Sequence, residues 1–220
     1  MTKRIVKVYP RFERFSHWSR VALILTLMVT GFGLNGLHGM IPFGTAVTVL
    51  TIAALPLLAL WVFSTFWLVT TGTWRQFTPT LQGMMHVVVY YAVGVFQGKK
   101  HPYQKQLWRK HNPLQAATYF VLKWLIFPSI WITGLLYLTY SFWASAMADS
   151  TFWIWLIGNL HVLVAYVIVV FVIIHLYLLT GGGHGVGAHI KPMITGFDEV
   201  DLIVKEEAYL QADKPWRLKG

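Results

Sequence analysis

Cysteine is absent from all 220 residues. That excludes a disulfide framework, a thiolate nucleophile, a cysteine-held iron–sulfur cluster and a covalently attached c-type haem. Charge is scarce too: charged residues make up 12% of the chain, with 8 acidic against 18 basic. Long uncharged apolar runs with so few charges exclude a disordered tail, and they exclude a nucleic-acid-binding domain despite the net charge of +10. What the chain has in excess is hydrophobicity. With 56% hydrophobic residues and a mean hydropathy of +0.55, too little polar surface remains to clothe a soluble domain, and the chain reads as an integral membrane protein.

Six cationic residues crowd Met1–Arg20, and no small-residue cleavage site follows the first apolar stretch. The first helix is therefore expected to be retained rather than removed as a signal. Stretches of about 20 apolar residues predict four spans: Phe15–Leu37, Phe43–Thr71, Leu114–Trp143 and Phe152–Leu179. A fifth apolar stretch, Leu81–Phe96, is short and is followed by Lys99, Lys100, Lys105, Arg109 and Lys110.

With four spans, 17 of the 18 Lys and Arg fall on one side, and Lys123 can snorkel to it. The other side receives Gly36–Pro42 and Ala144–Thr151, whose sole charged residue is Asp149. Cationic span ends mark the cytoplasmic face, so both termini are expected inside. A fifth span would export the lysine cluster, so Pro79–Phe96 is expected to lie as an interfacial helix. The fold class is thus an all-α, four-transmembrane-helix bundle with a cytoplasmic interfacial helix. Residues 1–197 form the membrane domain, and 198–220 form a short soluble tail.

Histidine is the remaining supplier of metal ligands. Imidazoles inside a membrane are costly and need a partner or a function. His161 and His175 lie fourteen residues apart in the fourth span, which returns them to within roughly 40° of one helix face and separates them by about 21 Å. His17 enters the first span at the depth of His175. A lone membrane histidine can be satisfied by a hydrogen bond across a helix interface. The depth-matched pair and the fourteen-residue repeat instead favour axial ligation of haem b, which takes one nitrogen from each side of the porphyrin. Gly31, fourteen residues after His17, would let a second porphyrin lie against the helix backbone. Arg14 and Arg20 flank His17 and suit haem propionates.

The other histidines and tryptophans read as surface or interface groups. His86, His101 and His111 are expected at the surface, with His111 placed to shuttle protons. His184 and His189 follow the last span, where the glycine run Gly181–Gly187 lacks the Gly-Lys-Ser/Thr ending of a phosphate loop and reads as a helix exit. Trp143, Trp153 and Trp155 suit an interface belt.

The segments Tyr9-Pro10-Arg11-Phe12-Glu13-Arg14-Phe15-Ser16-His17-Trp18, Thr70-Thr71-Gly72-Thr73-Trp74-Arg75-Gln76-Phe77, His101-Pro102-Tyr103 with Asn112-Pro113-Leu114-Gln115, Thr133-Gly134-Leu135-Leu136-Tyr137, and Ala188-His189-Ile190-Lys191 through Ile194-Thr195-Gly196 share a family pattern with the His161/His175 pair. Over nearly the whole chain they resemble bacterial cytochrome b561-type membrane subunits, in the thiosulfate reductase cytochrome b branch. Formate dehydrogenase and nickel–iron hydrogenase cytochrome b subunits are more distant relatives.

The resemblance implies a haem bundle passing electrons between the quinone pool and a periplasmic redox partner, either a multihaem cytochrome c or an iron–sulfur/molybdopterin subunit. It implies that His17 and His175 ligate the cytoplasmic-side haem, that His161 ligates the periplasmic-side haem, and that Asn112 and Gln115 help form a quinone pocket. The family's second-span ligand is missing, because Val47-Thr48-Val49-Leu50-Thr51 has no histidine. Three alternatives stand: His38 folds inward, Met40 supplies a thioether, or that haem is five-coordinate or absent. One or two haems are therefore expected. Two other functions stay open: a self-contained quinone-linked oxidoreductase such as a superoxide oxidase, and a haem-poor membrane anchor. On the main reading the chain is the quinone-reactive subunit of a complex rather than a complete enzyme.

Overall fold

The computed structural model describes residues 3–99, 101–102, 111–180 and 185–201. Lys100, Tyr103, Lys105, Arg109, Lys110, His184 and the tail from 202 onward lie outside the described residues. The fold is mostly helical, with four helices long and apolar enough to cross a membrane: Arg11–Leu34, Phe43–Thr70, Pro113–Leu138 and Ser150–Leu179. The four predicted spans are all present, with shifted ends. The chain divides into two compact units, Met1–Arg75 with Val186–Val204 and Gln76–Gly185 with Lys205–Gly220.

In the first unit, strand β1 (Lys3–Lys7) leads into helix α1 (Arg11–Leu34). Pro10 stands at the N-cap, where its missing N–H costs no helical hydrogen bond, and the helix starts at Arg11 instead of Phe15. It stops at Leu34 because Gly36 turns into the left-handed region at φ 79° and donates to the Gly33 carbonyl. Helix α2 (Phe43–Thr70) packs along α1. The side chains the pair buries are small: Ser16 and Thr30 on α1, and Ala46, Ala53 and Ser64 beside Leu57 on α2. Without a hydrophobic effect between helices in lipid, small residues gain close backbone approach and dispersion contact. Thr30 and Ser64 return their hydroxyls to the carbonyls of Thr26 and Trp61, at 2.8 and 3.0 Å, so burying them leaves no orphan donor. Phe12 and Trp67 close one end with ring centroids 4.8 Å apart.

The same unit contains helix α8 (Gly185–Thr195) and strand β2 (Phe197–Asp201). Strand β2 pairs antiparallel with β1 in the register Lys3↔Asp201, Ile5↔Glu199, Lys7↔Phe197. Gly196, at φ 89°, brings its carbonyl to the amides of Val8 and Tyr9 at 2.9 and 3.1 Å. A Cβ there would come within 2.9 Å of the Tyr9 carbonyl oxygen, so only glycine makes this junction without strain. The strands precede the first spanning helix and follow the last. Their pairing therefore places both ends of the described chain on one side, as an even number of crossings requires.

In the second unit, helix α3 (Met84–Val89) continues as a π turn through Gly94. It begins at Met84 instead of the expected Pro79, because Gly83 at φ 74° interrupts the helical path. At this length it is too short to cross a bilayer. Val87, Tyr90 and Tyr91 form a buried cluster with Leu114 and Leu178 packed against it, and Tyr177 donates its hydroxyl to the Tyr91 carbonyl at 3.0 Å.

The third span runs from α4 (Pro113–Val121) through a π turn (Leu122–Ile126) into α5 (Phe127–Leu138), and the short helix α6 (Tyr140–Trp143) follows separately. Pro128 explains the π turn: it has no N–H for the Trp124 carbonyl, and its ring would crowd that carbonyl in a regular α-helix. Helix α7 (Ser150–Thr180) is unbroken and packs against α5.

Candidate functional site

His17 stands half-buried on α1, its ring edge-on to Trp18 at 5.2 Å. The flanking side chains hold the end of α8. Trp18 Nε1 donates to the Met193 carbonyl at 3.0 Å, and the Arg14 guanidinium donates to the Ile194 carbonyl. A cation on the last carbonyls of a helix is favoured by their unsatisfied lone pairs and by the helix dipole. Arg14, expected at a propionate, is thus committed through one nitrogen to α8, while its Nε is buried with no hydrogen-bond partner. Arg20 is half-buried.

Farther along α1, a Cβ built on Gly31 meets no atom within 4 Å. Gly33 is different. The His38 ring lies over it, with Cε1 2.8 Å from a Cβ position. His38 does fold back toward α1, where its Nε2 lies 2.8 Å from the Val29 carbonyl and its Nδ1 accepts from the Met40 amide at 3.4 Å. Since a carbonyl only accepts, Nε2 is the protonated nitrogen. Both ring nitrogens are therefore engaged, one with α1 and one within the loop. Met40 is 75% exposed.

His161 and His175 lie half-buried on α7. His161 Nδ1 is 3.0 Å from the Thr133 hydroxyl on α5, and its ring occupies the space left by Gly134. His175 stacks on Phe171, with centroids 5.8 Å apart and planes at 23°. From there rings continue through Tyr119 at 6.3 Å to His111 at 5.0 Å, and His111 also meets Phe77 at 4.8 Å. His111 and His175 thus belong to one aromatic series.

Asn112 and Gln115 meet through reciprocal hydrogen bonds at the start of α4. Asn112 Oδ1 accepts from the Gln115 amide at 2.8 Å and Gln115 Oε1 accepts from the Asn112 amide at 3.2 Å, a capping box with Pro113 at the first helical position. Its signal was present in the Asn-Pro-Leu-Gln spacing. Replacing Asn112 by alanine is expected to cost about 0.5–2 kcal/mol by losing the cap, seen as a lower midpoint in thermal unfolding, with Asn112→Ser, which keeps a neutral capping oxygen, closer to the parent.

The surface reading of His101 and His111 needs correction. Both are half-buried. His101 Nε2 lies 3.0 Å from the Tyr91 hydroxyl, with the Tyr90 ring 4.7 Å away. Burial pushes the Tyr91 phenol up to about 12, so it keeps its proton at neutral pH and serves as a hydrogen-bonding hydroxyl. Asn112, 2% exposed, reaches the same hydroxyl with Nδ2 at 3.5 Å. His86 is exposed, as expected. His189 falls within α8, but its side chain lies outside what is described.

Haem b needs neutral imidazole nitrogens on apolar spans and flat clearance beside a helix. The donor set fits: His17, His161 and His175 all lie on spanning helices, in a chain with no cysteine to compete. The open face at Gly31 fits as well, since a side chain there would enter space that the protein does not fill.

Comparison with known proteins agrees with this chemistry. Residues 8–196 match the family model for prokaryotic cytochrome b561. A curated protein of Escherichia coli (strain K12), "Putative cytochrome YdhU", is 25% identical over 183 residues, covering 80% of this chain and 69% of its own length. No solved structure gives a significant match. The family match covers most of the chain, and the chain belongs to the prokaryotic cytochrome b561 family of membrane proteins that transfer electrons through haem b.

Proposed function

We propose that this cytochrome is the membrane subunit of an oxidoreductase complex, of the thiosulfate reductase cytochrome b kind, and carries electrons between the quinone pool and a periplasmic redox partner. The observation that carries this reading is α7: one unbroken helix presents His161 and His175 fourteen residues apart, about 21 Å along its axis. That spacing suits two haems, one toward each membrane surface.

In this reading His17 and His175 would hold the haem nearer the cytoplasm, and His161 would hold the haem nearer the periplasm. Bound haem supplies the one-electron chemistry, while the protein supplies ligation, insulation and access. Arg20 is the propionate partner, joined by guanidinium N–H groups of Arg14 that are not given to Ile194. We assign no axial role to His38, whose ring nitrogens serve Val29 and Met40. A multihaem cytochrome c or an iron–sulfur/molybdopterin subunit is the partner class. The cationic residues favour a bacterial inner-membrane location with both termini in the cytoplasm.

The quinone pocket of this reading lies at Asn112, Gln115 and His111. The capping box uses the side-chain carbonyls of Asn112 and Gln115, and the Asn112 NH₂ already reaches the Tyr91 hydroxyl, so the half-buried Gln115 NH₂ is the donor offered to a quinone oxygen, with Asn112 holding it in place. His111 supplies or removes the proton and stands in the ring series leading to His175.

Stopped-flow mixing of the purified protein with excess ubiquinol or menaquinol tests the assignment. Quinol is expected to reduce the haem, and His111→Ala is expected to slow that reduction by about 10²-fold, the scale of a lost proton-transfer group. Haem that dithionite reduces and neither quinol does would contradict the quinone role.

A further inference from the structure

We infer that Thr133 is the positioning residue of His161: its hydroxyl accepts the Nδ1–H of the imidazole and so presents Nε2 as the nitrogen that binds iron. This rests on the reading of His161 as a haem ligand.

The Thr133 hydroxyl has one proton and two hydrogen-bonding neighbours in its own helix, the Ser129 carbonyl at 2.7 Å and the Ile130 carbonyl at 3.2 Å. Carbonyls only accept, so the proton is spent on them. The third neighbour, His161 Nδ1 at 3.0 Å, must then be the donor. A neutral imidazole with its proton on Nδ1 carries its lone pair on Nε2, and the hydrogen bond made by one ring nitrogen decides which tautomer is present.

Gly134 completes the arrangement. A Cβ at that position would lie 3.1 Å from His161 Cε1 and 3.5 Å from Nδ1, so a side chain there would press on the ring, and glycine leaves it room to sit against Thr133. Adjacent residues of α5 thus do two jobs, one providing the acceptor and the other the room. Partners of this kind orient a ligating histidine and raise its basicity. A more basic imidazole favours ferric iron and lowers the reduction potential of that haem.

The test measures haem b per polypeptide and the midpoint potential of each haem in Thr133→Val, Thr133→Ser and His161→Ala proteins. Valine keeps the shape and removes the acceptor. Thr133→Val is expected to retain its haem while the reduction equilibrium of one haem shifts about tenfold toward the ferrous form, an upward change of about 59 mV for one electron. Thr133→Ser is expected to restore the parent value, which a merely structural role would not require. A valine variant with the parent potential, or a serine variant shifted as far as valine, would overturn the assignment. His161→Ala separates the two levels: no loss of haem there would remove the underlying ligand reading, whereas loss there with an unmoved Thr133→Val potential would remove only the role of Thr133.

Discussion

Replacing His175 by alanine is expected to remove one haem b from the purified protein, and replacing His17 is expected to remove the same one. The double variant should therefore contain no less haem than either single variant. The reason is chemical: low-spin haem b in such a site takes one axial nitrogen from each side, so either imidazole alone is an incomplete site. Alanine offers no donor atom in its place. Residues that act as one unit are non-additive in this way. Haem content read by pyridine haemochrome against protein concentration gives the answer, and a double variant that loses twice what each single variant loses would assign the two histidines to different haems. Neither substitution touches the α1–α2 seam of Ser16, Thr30, Ala46, Ala53 and Ser64, so the helices should remain packed.

The second large effect concerns Gly31. Outside its own helix backbone and chain neighbours, no atom comes within 4 Å of a Cβ built there, so the first atom of a leucine side chain has room, and Gly31→Leu replaces glycine by a better helix former, a gain of up to about 0.8–1 kcal/mol in intrinsic propensity. From the protein alone, the variant should be as stable as the parent. With a porphyrin lying against that face, the leucine side chain would occupy its place, and the variant should lose one haem, the one assigned to His161. Normal thermal stability with one haem fewer is the expected pair of results. Full haem content with an unchanged spectrum would show that the open face at Gly31 is not a haem face.

The spanning helices were legible because runs of about 20 apolar residues have few alternatives in a bilayer. Their ends were less so. Pro10 and Gly36 moved the bounds of α1 through local backbone geometry that hydropathy does not register. The β1–β2 ribbon was not legible, since two five-residue strands of mixed charge, Lys3–Lys7 and Phe197–Asp201, acquire meaning only when the chain ends meet. Among the candidate residues, the placement of His161 and His175 on one unbroken helix was legible through hydropathy. Asn112 and Gln115 carried two overlapping signals, a quinone-pocket pattern and a capping box, and the second is realised in the fold. Thr133 was visible only as part of a motif. Its pairing with His161, 28 residues away, depends on how α5 packs against α7 and leaves no local trace. The fates of His38 and Arg14 were hidden for a related reason: each is decided by a backbone carbonyl, of Val29 and of Ile194, whose position follows from the fold.

The central claim is that α7 carries ligands to two haems. Its most direct test is haem b per polypeptide on detergent-purified protein, with reduced-minus-oxidised spectra of the parent and of His161→Ala. Two haems in the parent, falling to one in the variant with the His17/His175 haem spectrum intact, is the predicted result. A single haem that survives His161→Ala, or colourless protein from haem-replete cells, would contradict it.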